Sequence, residues 1–91
     1  MAILVKNLKG TSGKKLPSGY YSWLDFWERK KRWTPGYCRN IACTRSAEKG
    51  GHIIVGNTDK KEYIVPICSS CNNEHDKEFY VNESDLVPVH D

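Results

Sequence analysis

Residues 63–72, Tyr-Ile-Val-Pro-Ile-Cys-Ser-Ser-Cys-Asn (YIVPICSSCN), run a β-favouring stretch directly into two cysteines separated by two residues. Branched and aromatic side chains favour a strand, Pro66 closes it, and Cys68-x2-Cys71 is a spacing at which two thiolates reach one metal ion. Upstream, Ile53-Ile54-Val55 is a second β-branched run, separated from the first by Gly56-Asn57-Thr58-Asp59-Lys60-Lys61. Two such runs around turn residues predict a hairpin. Before the hairpin lies another close pair, Cys38-x4-Cys43, with twenty-four residues between Cys43 and Cys68. A cysteine knuckle, a hairpin, then two cysteines leading into a short helix near Asn72 or Asn73 is the order of a treble-clef (ββα) zinc finger. The expected class is α+β, with an N-terminal strand and an amphipathic helix added to that core.

A chain of 91 residues with 11% aromatic content has a thin apolar core, so a covalent or metal staple is expected. Four cysteines form two disulfides in any of three pairings in a secreted domain, but the start Met-Ala-Ile-Leu-Val-Lys-Asn-Leu-Lys is too short an apolar run for a leader. No stretch is long enough to span a membrane. A reducing, cytoplasmic setting is therefore expected, in which paired cysteines hold metal. One structural Zn²⁺ on Cys38, Cys43, Cys68 and Cys71 fills all four positions and leaves none for water or substrate. The four thiolates would leave the site at about −2, and Arg39, Arg45 and Lys49 stand nearby in sequence to offset it. The expected organisation is one zinc-stabilised domain: residues 1–36 as a strand-and-helix extension, residues 37–91 as the treble-clef core and tail.

Residues 2–8 read as a short strand. The loop from Gly10 to Gly19 contains a Gly-Lys pair, but it lacks the glycine spacing and the following Ser or Thr of a phosphate-binding loop. From Ser18, a candidate cap, the stripe Tyr20, Trp23, Leu24 and Trp27 recurs at helical spacing, and Thr34-Pro35-Gly36 ends the helix. Tyr21, Phe26 and Trp33 lie off that stripe and mark a partner surface if exposed. Arg29, Lys30, Lys31 and Arg32 collect at the helix C-terminus, where the macrodipole favours cations. Net charge is +3, yet residues 1–50 hold eleven Lys/Arg against three Asp/Glu, a balance of +8, while residues 51–91 balance at −5. Such polarity fits a basic face for nucleic acid or an acidic protein surface.

Gly51-His52-Ile53 together with Ile64-Val-Pro-Ile-Cys-Ser-Ser-Cys-Asn72 resembles the HNH endonuclease family over roughly residues 37–76. The resemblance implies a treble-clef scaffold, with His52 at the position of the general base that activates water. It also implies Mg²⁺ or Mn²⁺ as a second, catalytic metal. The match departs from the family at three points: Gly51 stands where a metal ligand precedes the base, Tyr63 where an asparagine orients it, and Asn72 where a helix histidine binds metal. Asn73 or His75 would have to supply that ligand.

These residues support a non-catalytic, zinc-stabilised binding module, with Arg29, Lys30, Lys31, Arg32 and Trp33 facing DNA, another nucleic acid or an acidic protein. An active nuclease using His52, and a protein-binding adaptor using the aromatic and basic helix, are the alternatives. His52 otherwise serves as a strand histidine that fixes the hairpin, His75 otherwise caps or flanks its helix, and His90 lies in the tail with no visible partner.

Overall fold

The hairpin forms as expected, but its first strand is longer. In the computed structural model, which describes residues 1–8, 16–55, 61–74 and 77–89, β2 spans Lys49–Val55 and β3 spans Glu62–Ile67. The two run antiparallel from Lys49↔Ile67 to Ile54↔Glu62, with His52 opposite Ile64. The early part of β2 holds two glycines because its neighbours come too close for a side chain. A Cβ on Gly50 would lie 2.5 Å from the backbone carbonyl carbon of Trp23 and 2.6 Å from the nitrogen of Leu24, and one on Gly51 would collide with the buried Ile67 side chain.

Around the hairpin the chain builds a five-stranded antiparallel sheet in the order β4-β1-β2-β3-β5, with β1 at Ala2–Asn7, β4 at Glu78–Asn82 and β5 at Val87–Pro88. β1 pairs with β2 through Val5↔Val55 and with β4 through Val5↔Phe79. The N-terminal strand is thus woven into the same sheet as the cysteine hairpin. The segment 86–89, expected as a packed tail, supplies β5 along the free edge of β3.

Side chains alternate across a strand, so this sheet has two distinct faces. One carries Val5, Ile53, Val65, Ile67, Phe79 and Val81, which form a core with the buried Cys38 and Cys68. The other carries Ile64 and Val87, which pack with Phe26 and Trp27 of α1, Trp23–Lys31, and with the partly buried Leu16, Tyr20, Trp23 and Val89. Trp27 is fully buried and its indole N–H donates to the Asp85 carbonyl at 2.8 Å, in the 3-10 turn Glu83–Asp85.

Helix α1 begins later than expected. Gly19 has φ +95, a left-handed conformation that breaks a helix started at Ser18. Ser22 is the cap instead: its hydroxyl accepts from the Asp25 N–H at 3.0 Å, while the Asp25 carboxylate accepts from the Tyr21 N–H at 3.1 Å. Because Tyr20 lies outside the helix, the buried face runs Trp23, Phe26, Trp27, and Phe26 belongs to the core rather than to a partner surface. The helix ends at Arg32, in the left-handed region with φ 56, whose N–H returns to the Glu28 carbonyl. Among the described residues, no helix is long and apolar enough to cross a membrane.

The close approach of α1 to Gly50 yields a direct test. Gly50→Ala forces the helix backbone off the strand and is expected to lower unfolding stability by about 1–3 kcal/mol. Gly36→Ala, where a Cβ meets nothing within 4 Å, should change it by less than about 0.5 kcal/mol. Urea titrations of both variants against the parent read the difference.

Candidate functional site

The four cysteines converge on one point although they come from two segments. Cys38 follows the isolated bridge Tyr37↔Ser46, and its N–H donates to the Arg45 carbonyl at 2.7 Å, so residues 38–45 close on themselves as a loop. Asn40 shapes the x4 spacing: its carbonyl accepts from the Cys43 N–H at 2.9 Å, its side-chain oxygen accepts from the Ala42 N–H at 3.0 Å, and its amide donates to the Cys71 sulfur at 3.6 Å. The loop is moored to β3 by Arg39 N–H to the Pro66 carbonyl, 2.8 Å, and Glu48 N–H to the Ile67 carbonyl, 3.0 Å.

The second pair sits on α2, a single turn at Ser69–Asn72. It starts three residues earlier than the sequence suggests because Cys68 is itself the cap: its sulfur accepts from the Cys71 N–H at 3.4 Å as the strand ends. Glu48 completes the cap by accepting the Ser69 N–H at 3.1 Å, a bond that holds its carboxyl below the usual range. At the other end of the turn Asn7, the last residue of β1, is buried and directs its amide at three carbonyls, Cys71 and Asn72 at 3.2 Å and Glu74 at 2.9 Å. Both cysteine pairs are thereby held by side-chain amides.

All four sulfurs lie within 4.8 Å of one another, with Cys38–Cys71 and Cys43–Cys68 each at 3.8 Å. A tetrahedral ion with metal–sulfur bonds of about 2.3 Å requires sulfur separations of about 3.8 Å. The separations are far too long for disulfides, and all four cysteines are free. These four thiols can hold a metal ion.

Their electrostatics point the same way. Burial, joined by the Cys68 and Cys38 sulfurs and opposed by the Asn40 hydrogen bond, pushes the Cys71 thiol up to about 12. Burial also raises Cys38. For Cys68, burial is outweighed by the Cys71 N–H and the neighbouring thiols, which bring it below its ordinary value. Crowded sulfurs therefore resist ionising together in the absence of a cation. Arg39, expected to neutralise the site, turns away from it: its guanidinium lies 4.8 Å from the Trp33 ring centre, 5.0 Å from Tyr37, 5.7 Å from Trp27, and 3.9 Å from the Asp85 carboxylate. Stacking on three rings and facing an acid suits a buried guanidinium better than a backbone loop offers. Arg45 and Lys49 are exposed, and the sulfurs are reached by the Asn40 side-chain amide and by backbone N–H groups, Cys71 to Cys68 and Cys68 and Asn40 to Cys38.

His52 is only 4% exposed and lies on the α1 face, opposite Ile64, its ring edge-on to Trp23 at 4.6 Å. Asn72 approaches the other face, 3.5 Å from where a Gly51 Cβ would stand, and Tyr63 packs into that same core opposite Ile53. His52 thus lies on the opposite face of the sheet from Tyr63 and Asn72. His75 and His90 lie outside the described residues.

The basic residues gather around the C-terminus of α1. Glu28, Arg29, Arg32, Trp33 and Thr34 line an open hollow of about 530 Å³. Arg29 is braced by Asp25 at 3.3 Å and by the Gly19 carbonyl at 3.2 Å, Lys30 stands over the Phe26 ring at 5.5 Å, and Lys31 donates to the Ser84 carbonyl. Trp33, Tyr37 and Tyr21 are exposed. Sequence reasoning missed Asn7, Asn40 and the Arg39–Asp85 pair, because each acts through contacts distant in the chain or through backbone groups; only the Cys-x-Asn spacing of Cys38 and Asn40 carried a local signal.

Metal uptake requires thiolates, and the raised Cys38 and Cys71 thiols are protonated at neutral pH without metal. Binding a divalent ion is thus expected to release protons and to strengthen as pH rises, with metal lost on acidification. Titrations in two buffers of different ionisation enthalpy measure the release. Asn7→Ala, which unpairs the carbonyls at the end of α2, should weaken metal affinity about 10-fold or more, read by competition with a chromophoric chelator.

Comparisons with family models, with characterised proteins and with solved structures find no match for this chain. Its function is therefore argued from the geometry above.

Proposed function

We propose that this protein is a small zinc-binding module of the treble-clef, HNH-like type that binds nucleic acid without cutting it. The observation that carries the binding role is the hollow at the end of α1, where Arg29 and Arg32 flank the exposed Trp33. Planar guanidinium groups match phosphate oxygens, and an aromatic among them offers a surface to a base. Four sulfur ligands at tetrahedral spacing suit zinc.

The non-catalytic part of the proposal rests on His52. A base that activates water for phosphodiester cleavage must reach that water and work beside a divalent ion. His52 is buried under Trp23, on the opposite face from the α2 asparagines. There it packs between β2 and the start of α1.

Titration of labelled protein with short oligonucleotides, followed by amide chemical shifts, is expected to move Arg29 to Trp33 and leave β5 unmoved. Affinity should fall steeply between about 50 mM and about 200 mM salt. Lys30→Gln with Arg32→Gln should reduce the slope against log salt by about 2. Plasmid with Mg²⁺ or Mn²⁺ is expected to stay intact; nicking that His52→Ala abolishes would replace this reading with the nuclease one.

A further inference from the structure

Trp33 and Tyr37 are 58% and 59% exposed, yet neither ring is loose. Both lie against one buried guanidinium, that of Arg39, at 4.8 and 5.0 Å, and Trp33 also meets the Trp27 ring at 6.2 Å. Their backbones are fixed as well: the Trp33 N–H donates to the Glu28 carbonyl at 3.2 Å, Tyr37 bridges to Ser46, and Pro35 between them is buried. Each ring thus has the Arg39 guanidinium against it and more than half of its surface in solvent. Large aromatic surface left exposed and rigid, rather than folded inward, is suited to a partner with a flat apolar face, and little ordering is lost when it binds.

We infer that the partner is single-stranded nucleic acid, with an unpaired base stacked on Trp33 and Tyr37 offering a second aromatic surface on the same guanidinium. This rests on the nucleic-acid reading above and narrows it. In a duplex the base faces are occupied by neighbouring pairs, so an indole in a hollow has nothing to stack on except at an end. An unpaired strand offers a free base face together with phosphates for the flanking cations, and stacking of this kind tolerates any base. The hollow beside Trp33 is shallow and open to solvent, which suits a strand lying across it rather than an enclosed ligand. On its walls Arg29 and Arg32 attract phosphate, whereas Glu28 repels it.

Four probes test the inference on the metal-loaded protein at one salt concentration: an oligothymidine strand, an oligouridine strand, the thymidine strand paired with its complement, and an abasic strand of the same length. Both single strands are expected to bind at least about 10-fold more tightly than the duplex or the abasic strand. Trp33→Leu should weaken the single strands about 5- to 150-fold and leave the duplex and abasic values unchanged, and Trp33→Phe should restore most of the loss. An unchanged metal content and a single cooperative unfolding transition, at a somewhat lower midpoint because Trp33 also touches Arg39 and Trp27, confirm that the variants are folded. Equal or tighter duplex binding, or a Trp33→Leu effect shared by all four probes, overturns the stacking inference while nucleic-acid binding stands. Failure of every probe to bind at low salt overturns both.

Discussion

Four sulfur atoms within 4.8 Å of one another, two of them in the buried core, cannot all lose their protons unless a cation sits among them. That constraint links parts of the chain that share little else. The loop 38–45 comes after α1, the turn 69–72 comes after β3, and the residue that caps the turn, Asn7, comes from β1. The site is thus built from the beginning, middle and later part of the chain. A metal ion there would cross-link the sheet to a loop that otherwise depends on a few backbone bonds to β3. For a domain with a modest core, such a cross-link is worth a large share of the total stability.

One residue beyond Cys38 the chain changes direction of influence. Cys38 packs with the core on one face of the sheet, while Arg39 reaches the aromatic cluster of α1 and the Asp85 carboxylate. The metal loop and the basic, aromatic surface are therefore adjacent positions of one segment. Asp85 is itself buried, and its backbone carbonyl takes the Trp27 indole N–H. Taking away either charge of this pair would strand the other in a buried place, which costs more than the pair contributes when intact. The arrangement explains why an exposed Trp33 stays in place rather than collapsing onto the sheet.

Those features that depend on local pattern were legible in the sequence: the β1 strand, the hairpin, the two cysteine pairs and the basic helix end. Legibility failed where a choice depended on geometry. Ser18 and Ser22 are equally good caps on paper, and only the left-handed Gly19 separates them; that choice shifted the stripe and hid the burial of Phe26. Cys68 capping its own turn through sulfur moved the start of α2, since sulfur is not among the usual capping groups. Gly50 and Gly51 lie ahead of the expected Ile53–Val55 run but are strand residues, thinned for α1 and Ile67. Strand alternation puts His52 of Gly-His-Ile on the face away from the cysteines, and which face is which becomes fixed only when α1 docks. Asn7 carried no local sign at all, because its acceptors lie more than sixty residues away.

Native mass spectrometry of the purified protein, before and after chelation, tests most directly the claim that four thiols and one ion hold this fold together. One zinc ion per chain is expected, removed by a chelator with concurrent loss of the compact charge-state distribution, and recovered when zinc is returned. A compact chain with no metal, or one carrying two fewer hydrogens per cysteine pair as disulfides, would contradict it.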